Sequence, residues 1–119
     1  MAEITTFVKS SHVTYTVKGF DRKGEFESFR RYSEFHSLHQ ALCNRFPGLY
    51  IPGIPPKKAM GNTDMGFIIE RRFFLDRFLS LVSEIDYLAF SEEFKAFLRV
   101  PGDFDKVSYK FTQGSRVDS

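Results

Sequence analysis

The sequence predicts an α+β fold, with a three-stranded antiparallel sheet packed against a helical subdomain of three to four helices and a proline-rich loop between them. Three observations predict it. Residues 12–20 alternate with period two, and the period changes to helical spacing after Ser33. Four of the five prolines fall between residues 47 and 58. Fifteen phenylalanines in 119 residues, each burying roughly 150–250 Å², supply apolar area for one core without metal or disulfide staples.

Each element follows in order. Residues 4–9 are β-rich. Val13, Tyr15 and Val17 then share one strand face, with Thr14, Thr16 and Lys18 on the other. Asp21-Arg22-Lys23-Gly24 is a turn, and residues 25–32 form the returning arm. Ser33 is the predicted N-cap of a helix carrying Phe35, Leu38, Leu42 and Phe46, with Glu34 complementing the dipole in its first turn. Pro47-Gly48 stops it. A long helix near 67–83 is predicted, with Ile69, Phe73, Leu75, Phe78, Leu79 and Val82 as its apolar face. Ser91 caps a last short helix that Pro101 ends. The predicted domain covers residues 1–101, and 102–119 read as a polar tail or linker.

The net charge of +2 hides an asymmetry. Residues 30–77 hold eight Lys and Arg against four acids, so the rest of the chain is net acidic. Three basic doublets, Arg30-Arg31, Lys57-Lys58 and Arg71-Arg72, end a strand, end the proline loop and open a helix. Converging arginines suit a phosphate-bearing ligand, because guanidinium offers a planar fork for bidentate contact. Strand alternation sends Arg30 and Arg31 to opposite faces, so only one enters a given pocket.

Other classes find little support. The single Cys43 excludes an internal disulfide and fits a reducing, cytosolic setting. No apolar run reaches the ~20 residues of a membrane-spanning helix, and the N-terminus lacks a signal-peptide pattern. His36, His39 and Cys43 share a helix face but lack the fourth ligand zinc needs, so no metal or other cofactor is expected. No nucleophilic or phosphate-loop constellation is present, so no enzymatic activity is expected. Aromatics at core spacing rather than interleaved with charge argue against nucleic acid.

The same residues carry a family resemblance. Arg30-Arg31-Tyr32-Ser33-Glu34-Phe35 resembles the R-[RK]-Y-x-x-F motif of PX (Phox homology) domains. Ile51-Pro52-Gly53-Ile54-Pro55-Pro56-Lys57 is similar to the family's proline loop, and Arg71 with Leu75 and Phe78 to its R-x-x-x-L-x-x-F helix. The motifs stand in the family's order and cover about residues 3–101.

The resemblance implies the PX fold and a sorting-nexin-like, phosphoinositide-binding trafficking module. It implies a preference for phosphatidylinositol 3-phosphate, and peripheral attachment from the cytoplasm to early endosomes or other phosphoinositide-bearing membranes. It gives Arg31 the 3-phosphate, Tyr32 the inositol ring, Lys57 the 1-phosphate and Arg71 the 4- and 5-hydroxyls. Arg30 becomes the structural arginine, Lys58 and Arg72 accessory contacts, and Met60 and Met65 the membrane-insertion loop. An arginine on the hydroxyl edge leaves little room for further phosphates, which favours a monophosphate. The implied partners are this lipid, the anionic membrane surface and proteins of a sorting complex. The rival reading is a protein-interaction domain of PX fold with weak or no lipid binding, including SH3 binding through Pro52-Gly53-Ile54-Pro55-Pro56-Lys57.

Overall fold

The computed structural model describes residues 5–9, 14–21, 23–55 and 65–107, of which 5–9, 21 and 65–68 are described by backbone alone. Strands β1 (Thr5–Lys9), β2 (Thr14–Asp21) and β3 (Gly24–Arg31) form an antiparallel sheet in that order. In the hairpin between β2 and β3, Asp21 pairs with Gly24, whose φ of 114° lies where an L side chain is strained.

Register decides which face builds the core. Tyr15 pairs with Arg30, Val17 with Ser28 and Gly19 with Phe26, so these side chains share one face. Tyr15, Val17, Phe26, Ser28 and Arg30 are all buried on it. Phe29 and Arg31, one step out of phase, are exposed. Val13 lies outside the described residues.

Among the described residues, four helices follow the sheet: α1 (Tyr32–Arg45), α2 (Met65–Glu84), α3 (Asp86–Ala89) and α4 (Glu92–Arg99). Phe35, Leu38 and Leu42 of α1, Leu75, Phe78, Leu79 and Val82 of α2, and Phe94, Phe97 and Leu98 of α4 meet in one core. Phe35 and Phe97 pack edge to face, with centroids 5.0 Å apart. Arg45 on α1 donates to the buried Glu93 of α4 at 2.8 Å, tying the two helices at the periphery.

Ser91 caps α4 as its sequence position predicts, accepting from the Phe94 amide at 3.1 Å. The start of α1 differs. Helix begins at Tyr32, Arg31 holds the N-cap position, and Ser33 lies inside the first turn. Glu34 explains the shift: its Oε1 accepts from the Arg31 amide at 2.6 Å, satisfying a donor that the helix leaves open. Ser33 instead donates to Asp105 at 3.2 Å.

Two further expectations are corrected. Ile69 and Phe73 are 49% and 58% exposed, because at 100° per residue they fall well away from the buried stripe of Leu75, Phe78, Leu79 and Val82. Residues 102–107 pack as part of the fold rather than as tail. Gly102, at φ 85°, turns the chain back and Phe104 enters the core with no exposed surface. The Phe104 amide donates to Glu34 at 2.8 Å, and Asp105 accepts from Ser37 as well as Ser33. The folded unit therefore continues past the expected boundary at 101.

Candidate functional site

The two arginines at the end of β3 have opposite fates. Arg30 is fully buried under the C-terminal segment. Its Nε donates to the Phe97 carbonyl at 2.9 Å, Nη1 to the Gly102 carbonyl at 2.9 Å and Nη2 to the Val100 carbonyl. Glu34 pairs with it at 3.3 Å, and its guanidinium lies over the Phe97 and Phe104 rings. Burial lowers its pKa from the ordinary range, and the adjacent Glu34 opposes that shift. Each of its three nitrogens donates to protein and the side chain is fully buried, so it holds the fold together and does not face a ligand.

Arg31 points the other way. It is exposed on the opposite face of β3, at the N-terminus of α1. The guanidinium thus stands where the helix dipole already favours an anion.

Tyr32 follows, half-buried, and reaches two other elements. Its hydroxyl donates to the Pro55 carbonyl at 2.5 Å, fixing the proline loop. The Arg71 guanidinium of α2 sits 4.1 Å from its ring centroid, within cation–π range. Burial raises the Tyr32 pKa and the Arg71 charge opposes it. All three sequence motifs therefore meet at one ring: the strand end carries it, the proline loop accepts from its hydroxyl, and the helix covers one of its faces.

The proline loop is held at both ends. Tyr87 of α3 donates to the Tyr50 carbonyl at 2.6 Å and packs against Phe46. Between these anchors Pro52 is buried, and Ile51 and Ile54 pack on the core. A polyproline ligand must present its prolines to a groove, and the first proline of this motif faces inward. The loop opposes α2 across a cavity of about 630 Å³, within the usual range for small-ligand pockets. Gly53, Ile54 and Pro55 line one side; Arg71, Phe74 and Arg77 line the other.

The other expected site residues fall as follows. Lys57, Lys58 and Met60 lie outside the described residues, and Met65 is the first residue of α2. Arg72 is half-buried, and its charge favours ionisation of Asp76, whose pKa burial raises. That neighbourhood fits a structural role better than a ligand contact. His39 and Cys43 touch at 3.9 Å, and the described residues hold no group of three or more metal-binding side chains. Among the described residues no helix is long and apolar enough to cross a membrane.

Sequence reasoning missed Arg77 at the cavity and Glu34 beneath the site. The spacing Glu70, Phe74, Arg77, Leu81 puts Arg77 on the stripe that faces the loop. The four-residue step from Arg30 to Glu34 crosses from strand to helix, so helical pairing rules do not reveal it.

Comparison with known proteins agrees with this geometry. The family model of the PX domain matches residues 19–101. This chain belongs to the PX domain family. It is 38% identical to mouse sorting nexin-7 over 113 residues, covering 90% of this chain and 28% of that protein. It is 37% identical to mouse sorting nexin-8 over 93 residues, covering 76% of this chain and 19% of that protein. The chain thus spans about a fifth to a quarter of the length of these relatives. Among solved structures, a designed CISK-PX domain superposes with TM-score 0.71 at 28% identity, covering 84% of this chain and 99% of that one. The SNX-BAR Mvp1 tetramer gives TM-score 0.78 at 28% identity, covering 94% of this chain and 34% of that one. PX domains of sorting nexins are phosphoinositide-binding modules of membrane trafficking, and membership places this domain in that class.

Proposed function

We propose that this PX domain recognises phosphatidylinositol 3-phosphate and brings the protein that carries it to endosomal membranes for sorting. It acts from the cytoplasm as a peripheral, non-enzymatic module. The observation that carries the reading is Tyr32, bonded to Pro55 and covered by Arg71, with Arg31 beside it at the helix N-terminus. In this reading Arg31 binds the 3-phosphate, Arg71 the hydroxyl edge of the ring and Lys57 the 1-phosphate. The inositol packs beside Tyr32.

One headgroup in one pocket gives modest affinity, and stable anchoring takes a second signal. Attraction to anionic lipid, insertion of Met60 and Met65, or avidity within a sorting complex supplies it. Liposome co-sedimentation across a phosphoinositide panel tests the reading, with wild type beside Arg31→Ala. Wild type should pellet with phosphatidylinositol 3-phosphate and the variant should stay in solution. Equal pelleting of both, or pelleting indifferent to the phosphoinositide, sinks the assignment.

A further inference from the structure

We infer that residues 102–107 are a positioning strap for the lipid site. Through Phe104 and Asp105 they hold the start of α1 at Tyr32; without them the start slips to Ser33, and Arg31 and Tyr32 leave their binding geometry. The inference rests on the reading above. It adds a segment that lies beyond the stretch matched by the family model, residues 19–101.

Two residues compete to begin α1. Arg31 holds the N-cap position with extended backbone, and Tyr32 is the first helical residue. Ser33 is the intrinsically better cap, because a serine hydroxyl at that position accepts from an amide two or three residues further on. The strap weighs against Ser33 in two ways. Asp105 accepts from the Ser33 hydroxyl at 3.2 Å and from the Ser37 hydroxyl one turn along the same helix. A side chain held toward the strap does not cap its own helix. The Phe104 amide donates to Oε2 of Glu34 at 2.8 Å, while Oε1 of the same carboxylate accepts from the Arg31 amide at 2.6 Å. One buried side chain thus carries the strap's grip to the first residue of the phosphate site. Gly102 turns the strap into place, and the buried Phe104 ring anchors it edge to face on Phe97 at 5.2 Å.

A start at Ser33 makes Tyr32 a flanking, non-helical residue. Its ring then loses the placement that gives one face to Arg71 and the hydroxyl to Pro55. Arg31 loses its seat at the helix N-terminus in the same step. The strap's three bonds to α1 oppose one serine cap, so the strap sets the fraction of molecules ready to bind.

The test uses the full 119-residue chain and vesicles of phosphatidylcholine and phosphatidylserine, with and without phosphatidylinositol 3-phosphate. Affinity is read beside the Cα chemical shifts of Tyr32 and Ser33. Asp105→Ala should bind the phosphoinositide vesicles about fivefold more weakly, the effect of one lost hydrogen bond, and its Tyr32 shift should move from helix toward coil. The sign is informative, since removing an acid strengthens attraction to an anionic membrane by charge alone. Asp105→Asn makes the same charge change but keeps an acceptor, so it should lose less. Ser33→Ala removes the rival cap: alone it should bind as wild type, and in the Asp105→Ala background it should restore affinity. Wild-type affinity in Asp105→Ala, an equal loss in Asp105→Asn, or a loss that Ser33→Ala does not relieve overturns the inference. So does weaker binding by Ser33→Ala alone, a change at an exposed position that should keep the fold even if Asp105→Ala does not. If wild type ignores phosphatidylinositol 3-phosphate, the lipid reading fails, and the Tyr32 shift in Asp105→Ala then decides the helix start by itself.

Discussion

Arg30 and Arg71 both lie over aromatic rings, and their surroundings could hardly differ more. Arg30 sits over Phe97 and Phe104 with no exposed surface, bonded to three carbonyls and Glu34. Arg71 sits over Tyr32 at the wall of a cavity. The first cluster is closed and the second is open. The same pairing of guanidinium and ring serves as a structural joint where backbone acceptors surround it, and as a binding surface where a cavity adjoins it. Charge count cannot separate the two roles; burial of the one and the cavity beside the other can.

The largest effect should come from breaking the closed cluster. Arg30→Ala removes the charge partner of the buried Glu34 and the guanidinium donors to the Phe97, Val100 and Gly102 carbonyls. It should cost about 3–5 kcal/mol, as for breaking a buried ion pair. Thermal or urea unfolding reads this directly. Arg30→Lys should recover little, because an ammonium cannot meet carbonyls spread around a planar fork. A variant with unchanged midpoint would show that the cluster contributes no stability.

Arg31→Ala should do the reverse. With no side-chain partner to lose among the described residues, its unfolding midpoint should match wild type. Affinity for phosphatidylinositol 3-phosphate should drop by about tenfold or more, the effect of losing a charge-assisted phosphate contact. If the midpoint falls along with affinity, Arg31 belongs to the closed region after all.

A smaller effect separates the two jobs of Tyr32. Tyr32→Phe keeps the ring under Arg71 and removes the bond to Pro55. Stability should fall by about 1 kcal/mol, and lipid binding should weaken because the proline loop loses an anchor. Binding that is unchanged in vesicle assays would mean the loop needs no tether at residue 55.

The smallest effect is a pH dependence outside both clusters. Burial lowers the His39 pKa from its ordinary 6.5, with the neighbouring His36 charge adding to the shift, and its ring packs by Phe78. A lowered folded-state value means that the unfolded chain binds the proton more readily. Stability contributed by neutral His39 is therefore full above pH 6.5 and is lost as pH falls toward the depressed value. His39→Gln should flatten this acid-side loss in unfolding midpoints taken between neutral and mildly acidic pH. An unchanged slope would exclude His39 as its source.

Much of this contrast was legible in the sequence. Period-two alternation alone separates Arg30 from Arg31, and the family motifs name Tyr32 and Arg71. What alternation cannot show is the lid over Arg30. Phe104 stands between two aspartates in a polar stretch, and only the turn at Gly102 returns it to the core. Ser33 has the better capping propensity, yet Glu34 wins because its carboxylate serves the Arg31 amide, Arg30 and the Phe104 amide together. Ile69 and Phe73 look like core by composition, but the angle around α2 places them outward. In each case a contact distant in sequence decides what local pattern leaves open.

The most direct test of the open and closed regions is an amide NMR titration with inositol 1,3-bisphosphate, the soluble headgroup of phosphatidylinositol 3-phosphate. The account predicts saturable shifts at Arg31, Tyr32, Ile54 and Arg71, while Phe97, Gly102 and Phe104 stay still. Shifts confined to the exposed face of the sheet, or largest around Arg30 and Gly102, would contradict it.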